Sequence, residues 1–542
     1  MSEKGRLCQR QKWSKEQRSS SLFCCFWDTT TAAMSSTLLL AAAVTSTPAD
    51  GGIGVCYSGG GITGMAASMC AHHALTQLVP HFDGLGVTVS TASGGTLGYL
   101  LHQSTLATDD PPSARARALA TAGAKPVVFP PPLSPALTYA QLNNNSVARG
   151  HTWWANAVNY IPDGPPATAP ARAGPAAAGS AAAAAALGDD GKGWWQDVMA
   201  TLWTVGYGVR GEDVGRARGA GHFVGNFAAL SASSCPLARN SSTHVMEDAL
   251  AGLHLGGVEA DPAVAGGAPA VHLTGGLKLT DGSSASAVSL LDVAAWSSAF
   301  WAAGIVENKA GYLAEQAAEL LNVGVLVSAQ AKAAGDKGAA PFRVHLVDGG
   351  MVDTTGIVAT LQRGASRVLA QYNNNDDLSH AAGDAAHPQS EQASLAFLFG
   401  ESVVTDSMNS IAGPQLTQVF PNELYAGVIA NLTVGGGNFA RLVDVPVLAN
   451  PYLGIATPYV LEELIITANQ PSDAFLEYFD DPQVRAKVNP LWPNRMPLGL
   501  STFDANLMCQ FERFKLQAHR DEILAFFAAA GDGKARRKSV LE

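Results

Sequence analysis

Three times along this chain a short apolar run ends in glycines and gives way to a helical pattern, and few folds accept that rhythm. Ile53 to Tyr57 reads as a short buried strand running into Ser58-Gly59-Gly60-Gly61, after which Met65 to Val79 reads as an alanine-rich helix stopped by Pro80. Val87 to Ser90 reads as a second strand, followed by the turn Thr91-Ala92-Ser93-Gly94-Gly95-Thr96 and a helix over Leu97 to Gln103. Arg343 to Val347 reads as a third strand, followed by Asp348-Gly349-Gly350. A helix over Gly356 to Arg363, closed by Gly364, and a strand over Arg367 to Tyr372 come next. Alternation of strand, turn and helix is the pattern of an α/β sheet. Asp348 falls at the carboxyl end of a strand inside what reads as a βαβ unit, where such sheets place their sites.

The rest of the chain frames this ordered part. With 542 residues and 47% hydrophobic content there is ample material for a large core. Residues 1–50 read as a tail, cationic over 1–18 and apolar from Thr37 to Val44, either disordered or a targeting segment. One large domain is expected over 51–542, with a low-complexity insertion at 163–193 that contains the alanine run Ala181 to Ala186. Trp153-Trp154 and Trp194-Trp195 bracket that insertion and read as packing residues or the edge of a lipid-facing lid. Gly256 to Gly275 reads as a loop, and Cys509 to Ala529 as a helix.

Composition excludes some classes and leaves others open. A net charge of −11 argues against a general nucleic-acid binder. No uncharged apolar stretch reaches the ~18 residues of a spanning helix, so no transmembrane helix is expected. The seven cysteines include no CxxC pair, so no metal site is expected. Their odd number and wide spacing suit free thiols in a reducing compartment better than a disulfide scaffold. The compartment itself is unknown; cytoplasmic or peripheral-membrane placement is favoured, with organelle targeting or secretion as the other options. Oligomeric state is not legible.

The three glycine motifs offer the parts of a serine acyl hydrolase. Acyl transfer passes through a tetrahedral oxyanion that needs preorganised donors about 3 Å away. Gly59, Gly60 and Gly61, at a helix N-terminus, let backbone N–H groups converge, and Gly94 can add another. Ser93 lies between a strand and a helix, as a nucleophile elbow does; Gly95 meets the need for a small residue two positions later, whereas Thr91 meets it less well. Asp348 can serve as base if burial raises its pKa from the ordinary value of about 3.9. Each motif has a competing reading. Gly59, Gly61 and Gly64 also satisfy the spacing of a dinucleotide loop, although no acid ends the following strand. Ser93 can be a helix cap, with Ser90 as the next candidate nucleophile. Asp348 can be a helix-capping or turn aspartate, and Asp353-Thr354-Thr355 before Gly356 looks like such a cap.

These motifs resemble those of the patatin-like phospholipases and the related cytosolic phospholipase A catalytic domains. Ser58-Gly59-Gly60-Gly61-Ile62 is similar to their glycine-rich oxyanion motif, Thr91-Ala92-Ser93-Gly94-Gly95 to their elbow in outline, and Asp348-Gly349-Gly350 to their Asp-Gly-Gly/Ala motif. The resemblance implies a three-layer α/β sandwich with a central, mainly parallel sheet. It implies a Ser93–Asp348 dyad without histidine, metal or other cofactor, acting on fatty-acyl esters of phospholipids, lysophospholipids or galactolipids at a membrane or micelle surface. The family usually carries Arg or Lys after the glycines, where this chain has Thr63; the resemblance therefore implies weaker preference for phosphate head groups, raised by Thr63→Arg. A Ser–His–Asp triad is the alternative mechanism. A non-catalytic lipid-binding or scaffold protein is the alternative function.

Other residues read as structural. Of His72-His73 in the first helix, one is expected to face outward, and packing outweighs catalysis. Asn373-Asn374-Asn375-Asp376-Asp377, after a strand, read as a polar turn or a weak cation site.

Overall fold

The computed structural model describes residues 52–104, 106–107, 126–127, 129–144, 222–231, 257–259, 270–272, 277–279, 290–298, 324–329, 342–373, 395–401, 417–433, 437–450, 453, 455, 457–469, 471–488 and 500–528. Its centre is a nine-stranded sheet. The strands are β1 (Ile53–Tyr57), β2 (Thr88–Ala92), β3 (His222–Ser231), β4 (Leu277–Leu279), β5 (Gly324–Ala329), β6 (Phe342–Asp348), β7 (Arg367–Tyr372), β8 (Phe439–Val447) and β9 (Tyr459–Ala468), in the spatial order β8-β9-β7-β1-β2-β3-β6-β5-β4. Strands β9, β7, β1, β2 and β3 are parallel, and the flanking pairs are antiparallel. The α/β expectation therefore holds for the middle of the sheet. Every residue of β1 is buried, as are all of β7 except Arg367, because strands covered on both faces read as continuous apolar runs.

The helices connect these strands and cover them. Among them are α1 (Gly61–Leu78), α2 (Gly94–Ser104), α3 (Leu290–Ser297), α4 (Gly350–Asp353), α5 (Ile357–Gln362), α6 (Tyr425–Thr433) and α7 (Thr502–Ala518). Helix α1 is buried from Ile62 through Leu75, which its alanines and small polar residues allow at close quarters to α2 and α7. A Cβ on Gly98 of α2 would sit 2.2 Å from the Met65 carbonyl oxygen, so only glycine lets these two helices approach as they do. Val368, Ala370 and Tyr372 of β7 join one apolar cluster with α5 and α6, while Gln371 between them faces α7. A second cluster packs Ala66 and Ala67 of α1 against Phe503, Leu507 and Phe511 of α7.

Several expectations are corrected. Helix α1 begins at Gly61 rather than Met65, so the glycine motif is itself the first turn. Strand β2 runs on through Thr91 and Ala92, which brings Ser93 to the strand end. The presumed βαβ unit is not one, because β6 is antiparallel to β3 and hence opposed to β7. The stretch expected as a loop holds a two-stranded ribbon, Gly257–Glu259 with Ala270–His272. Cys70 of α1 and Cys509 of α7 form a disulfide across 439 positions, where free thiols were expected. Both His72 and His73 are buried rather than one facing outward. The tail at 1–50, the insertion at 163–193, both tryptophan pairs and Asn374 to Asp377 lie outside the described residues.

Candidate active site

Strand β3 explains how Ser93 and Asp348 meet. Its first half, His222 to Asn226, pairs in parallel with β2, ending at Ala92↔Asn226. Its second half, Phe227 to Ser231, pairs antiparallel with β6, beginning at Asp348↔Phe227. Strands β2 and β6 thus run toward each other from opposite ends of the sheet and stop at the same point along β3. The residues just past or at those ends are Ser93 and Asp348, and the Ser93 hydroxyl donates to Asp348 Oδ2 at 2.7 Å.

Ser93 is held in a conformation that few side chains adopt. Its φ is +49°, in the left-handed region, at a cost of about 1–2 kcal/mol for a residue with a Cβ. The surroundings fix it there. The N–H groups of Thr96 and Leu97 donate to the Ser93 carbonyl at 3.0 and 3.4 Å, and the Ser93 N–H donates to Ser297 Oγ at 3.0 Å. A Cβ on Gly94 would lie 2.0 Å from the Gly61 carbonyl oxygen and one on Gly95 2.3 Å from that of Tyr57, so the two helix N-termini abut only because both residues are glycine. Thr91, which departs from a small residue before the elbow, is accommodated by hydrogen bonding. Its hydroxyl pairs with Thr96 Oγ1 at 2.9 Å, and Thr96 Oγ1 pairs with Ser297 Oγ at 2.7 Å. Sequence reasoning assigned Ser297 no role; the only local signal was a Trp-Ser-Ser run ending a helix.

Asp348 has a protein environment suited to a base. It is 2% exposed, and burial lifts its pKa from 3.8 to about 7, against the opposing pull of its hydrogen bonds from Ser93 and from the Gly350 N–H, which reaches Oδ1 at 2.8 Å. Gly349 presses on β3, where a Cβ would lie 2.4 Å from the Asn226 carbonyl oxygen. The Asn226 amide in turn donates to Ser90 Oγ at 2.9 Å and to the Thr91 carbonyl at 2.8 Å, which ties the β2 and β6 ends together. Ser90, the other candidate nucleophile, donates to the Gly356 carbonyl at 2.6 Å and is engaged in structure.

The glycine loop lies across the same point. Gly59 supplies space rather than a donor: its N–H donates to the Thr354 carbonyl at 2.8 Å, and a Cβ on it would meet Ser93 Cβ and Thr354 Cγ2 at 3.0 Å. This corrects the expectation that Gly59 contributes to an oxyanion hole. Among the described residues the N–H groups of Gly60, Gly61 and Gly94 take no hydrogen bond, as first-turn helix donors commonly do not. Gly60 has φ +119° and Gly61 φ +57°, which explains why this turn is glycine throughout.

The remaining candidates fall elsewhere. Asp353 caps α5, accepting from Thr355 N and Val358 N at 2.9 and 2.8 Å. His72 pairs with Tyr57 Oη at 2.9 Å and Gln103 Nε2 at 3.0 Å, and His73 with His102 at 3.3 Å and Gln77 at 3.1 Å. These bonds tie both rings to β1, α1 and α2. Thr63 is fully buried in α1, so an arginine there would enter the core rather than meet a head group. Among the described residues no cluster of three or more His, Cys, Asp or Glu could hold a metal, and no helix is long and apolar enough to cross a membrane.

Comparison with solved structures finds a likeness to human GIVD cytosolic phospholipase A2, at 12% identity and a TM-score of 0.41, over 94% of this chain and 68% of that one. No protein-family model and no curated protein matches the sequence.

Proposed function

We propose that this chain is a serine acyl hydrolase in which Ser93 and Asp348 form a two-residue catalytic unit. The observation that carries the reading is the 2.7 Å hydrogen bond between a serine in a left-handed elbow and a buried carboxylate with pKa about 7. Ser93 Oγ attacks the acyl carbonyl carbon while its proton passes to Asp348 Oδ2. The oxyanion forms against the N–H groups of Gly60, Gly61 and Gly94, each donor being worth about 3–4 kcal/mol in such sites. The leaving alcohol then takes the proton from Asp348 as the C–O bond breaks, and an acyl-Ser93 ester remains. Water attacks that ester with Asp348 again as base. The carboxylic acid departs, and the serine proton is restored.

The substrate class rests on the motif resemblance: fatty-acyl esters of phospholipids, lysophospholipids or galactolipids, met at a lipid surface. The alternating faces of β7, one toward α5 and α6 and one toward α7, support the three-layer architecture that goes with it. A hydrolysis screen of the full chain against phospholipids, lysophospholipids, galactolipids and neutral glycerides tests the reading. Fatty-acid release by the wild type and none by Ser93→Ala is the expected outcome. Release that persists in Ser93→Ala removes the nucleophile. A folded wild type that cleaves none of these lipids favours a binding or scaffold role.

A further inference from the structure

Asn373 follows β7 directly and was grouped by sequence with a polar turn. Its side chain is fully buried. Its Nδ2 donates to the Ser58 carbonyl at 3.0 Å, with Ser68 Oγ at 3.3 Å and the Gly64 carbonyl at 3.5 Å also in reach. Its backbone N–H donates to Ser58 Oγ at 2.6 Å. Ser58 opens the glycine loop and Gly64 lies in the first turn of α1, so one amide grips the loop at both ends. A peptide unit is planar, with its C=O and N–H pointing opposite ways. The Ser58–Gly59 unit is fastened on both sides, its C=O by Asn373 and its N–H by the Thr354 carbonyl at 2.8 Å. That leaves the following N–H groups, those of Gly60 and Gly61, aimed by a frame they do not control.

Asn373 is itself locked. Its Oδ1 accepts from Gln371 Nε2, which also donates to Glu512 Oε1 at 3.2 Å. Glu512, buried on α7, is paired with Lys515 Nζ at 2.9 Å, and that ammonium donates to the Ala468 carbonyl at 2.8 Å. The ammonium fixes the carboxylate as an acceptor, the carboxylate fixes the Gln371 amide as a donor, and Gln371 fixes which end of the Asn373 amide faces the loop. Buried polar chains of this kind hold one geometry when every member is satisfied.

We propose that Asn373 is the positioning residue of the glycine loop, setting the orientation of the Gly60 and Gly61 N–H groups toward the oxyanion. This rests on the acyl-hydrolase reading. It concerns a residue that touches no reacting atom.

The test compares turnover of a p-nitrophenyl acyl ester and its thionoester by the full-length wild type, Ser93→Ala, Asn373→Ala and Ser58→Ala. A thionoester develops charge on sulfur, which backbone donors placed for oxygen serve poorly, so the ester-to-thionoester ratio of kcat reads donor placement. General loosening of the fold lowers both rates together. Displacing one oxyanion donor costs roughly 10²-fold in kcat in such sites, so Asn373→Ala should lower ester kcat about 10–100-fold and the ratio at least about fivefold, with KM little changed. Ser58→Ala, which removes the hydroxyl that receives the Asn373 N–H, should move the ratio the same way by less. It carries the test if Asn373→Ala does not fold. Turnover that depends on Ser93 with a ratio unchanged in the folded variants overturns the Asn373 role alone. Turnover that survives Ser93→Ala overturns the site reading and this proposal with it.

Discussion

Asp348 and Asp353 lie five residues apart, both out of reach of solvent, and keep different company. Asp353 accepts only from its own cap, from Thr355 N and Oγ1, Val358 N and Gly356 N. Asp348 accepts one backbone N–H, from Gly350, and on its other oxygen a single serine hydroxyl. Burial pushes both pKa values up, so burial does not distinguish them. What distinguishes them is where the donor hydroxyl stands. The Thr355 hydroxyl belongs to the cap itself and also accepts from the Ile357 N–H, so Asp353 and its donors together hold the start of α5. The hydroxyl on Asp348 belongs to Ser93, which stands in a left-handed turn on another element beside the glycine loop, and in the proposed mechanism that hydroxyl is the reactant.

The sharpest way to break this comparison is to remove each carboxylate charge in turn. Asp348→Asn should reduce turnover on the order of 10³-fold or more, as loss of one member of a catalytic unit does. It should not cost stability at pH 8. Because the folded pKa of about 7 lies above the unfolded value of 3.8, the stability that Asp348 contributes is complete below about pH 4 and lost as pH rises through 7. Asp348→Asn should therefore melt higher than the wild type at pH 8, and the gap should close toward pH 4. Thermal melts at the two pH values check the sign. Asp353→Asn should do the reverse. It would turn an amide NH2 toward a buried N–H at α5, with a cost of roughly 1–3 kcal/mol, and turnover per folded molecule should change far less than in Asp348→Asn. A large chemical defect with an unchanged melting point in Asp353→Asn would erase the distinction.

Smaller effects sharpen it further. Thr63→Arg should lower the melting temperature and bring no gain on phospholipids, since position 63 is buried. A selective gain on phospholipids in a fully stable variant would return that position to the substrate. Ser297→Ala should lower kcat about tenfold or less, because it leaves the Ser93 N–H and Thr96 hydroxyl without their shared partner but removes no reacting group. Steady-state kinetics alongside a melt separates this from unfolding.

How much of this was legible varied with how local each feature is. Strand β1 was readable because a strand buried on both faces reads as an apolar run, and β7 because only Arg367 at its start and Gln371 interrupt one. That the Ser93 and Asp348 turns are places of close backbone approach was readable because glycines crowd wherever backbones meet, and the Gly94, Gly95 and Gly349 contacts are of that kind. The direction of β6 was not readable, because hydrophobic pattern does not encode which way a strand runs; the long β3, paired one way in each half, decides it. Ser297 lies 204 positions from Ser93 and Cys509 lies 439 from Cys70, and no local pattern reports such partners. Gly59 was misread for a related reason, since whether its N–H is available depends on the carbonyl of Thr354.

The central claim is that Asp348 takes the proton of Ser93, and the pH dependence of covalent capture tests it most directly. The full chain would be treated with a fluorophosphonate between pH 5 and 9, and the adduct located by peptide mass spectrometry. The expected result is an adduct on Ser93 whose rate of formation rises with pH, bends near pH 7 and levels above it, and is nearly abolished in Asp348→Asn. An adduct on another residue, or labelling of Asp348→Asn at the wild-type rate, would contradict it.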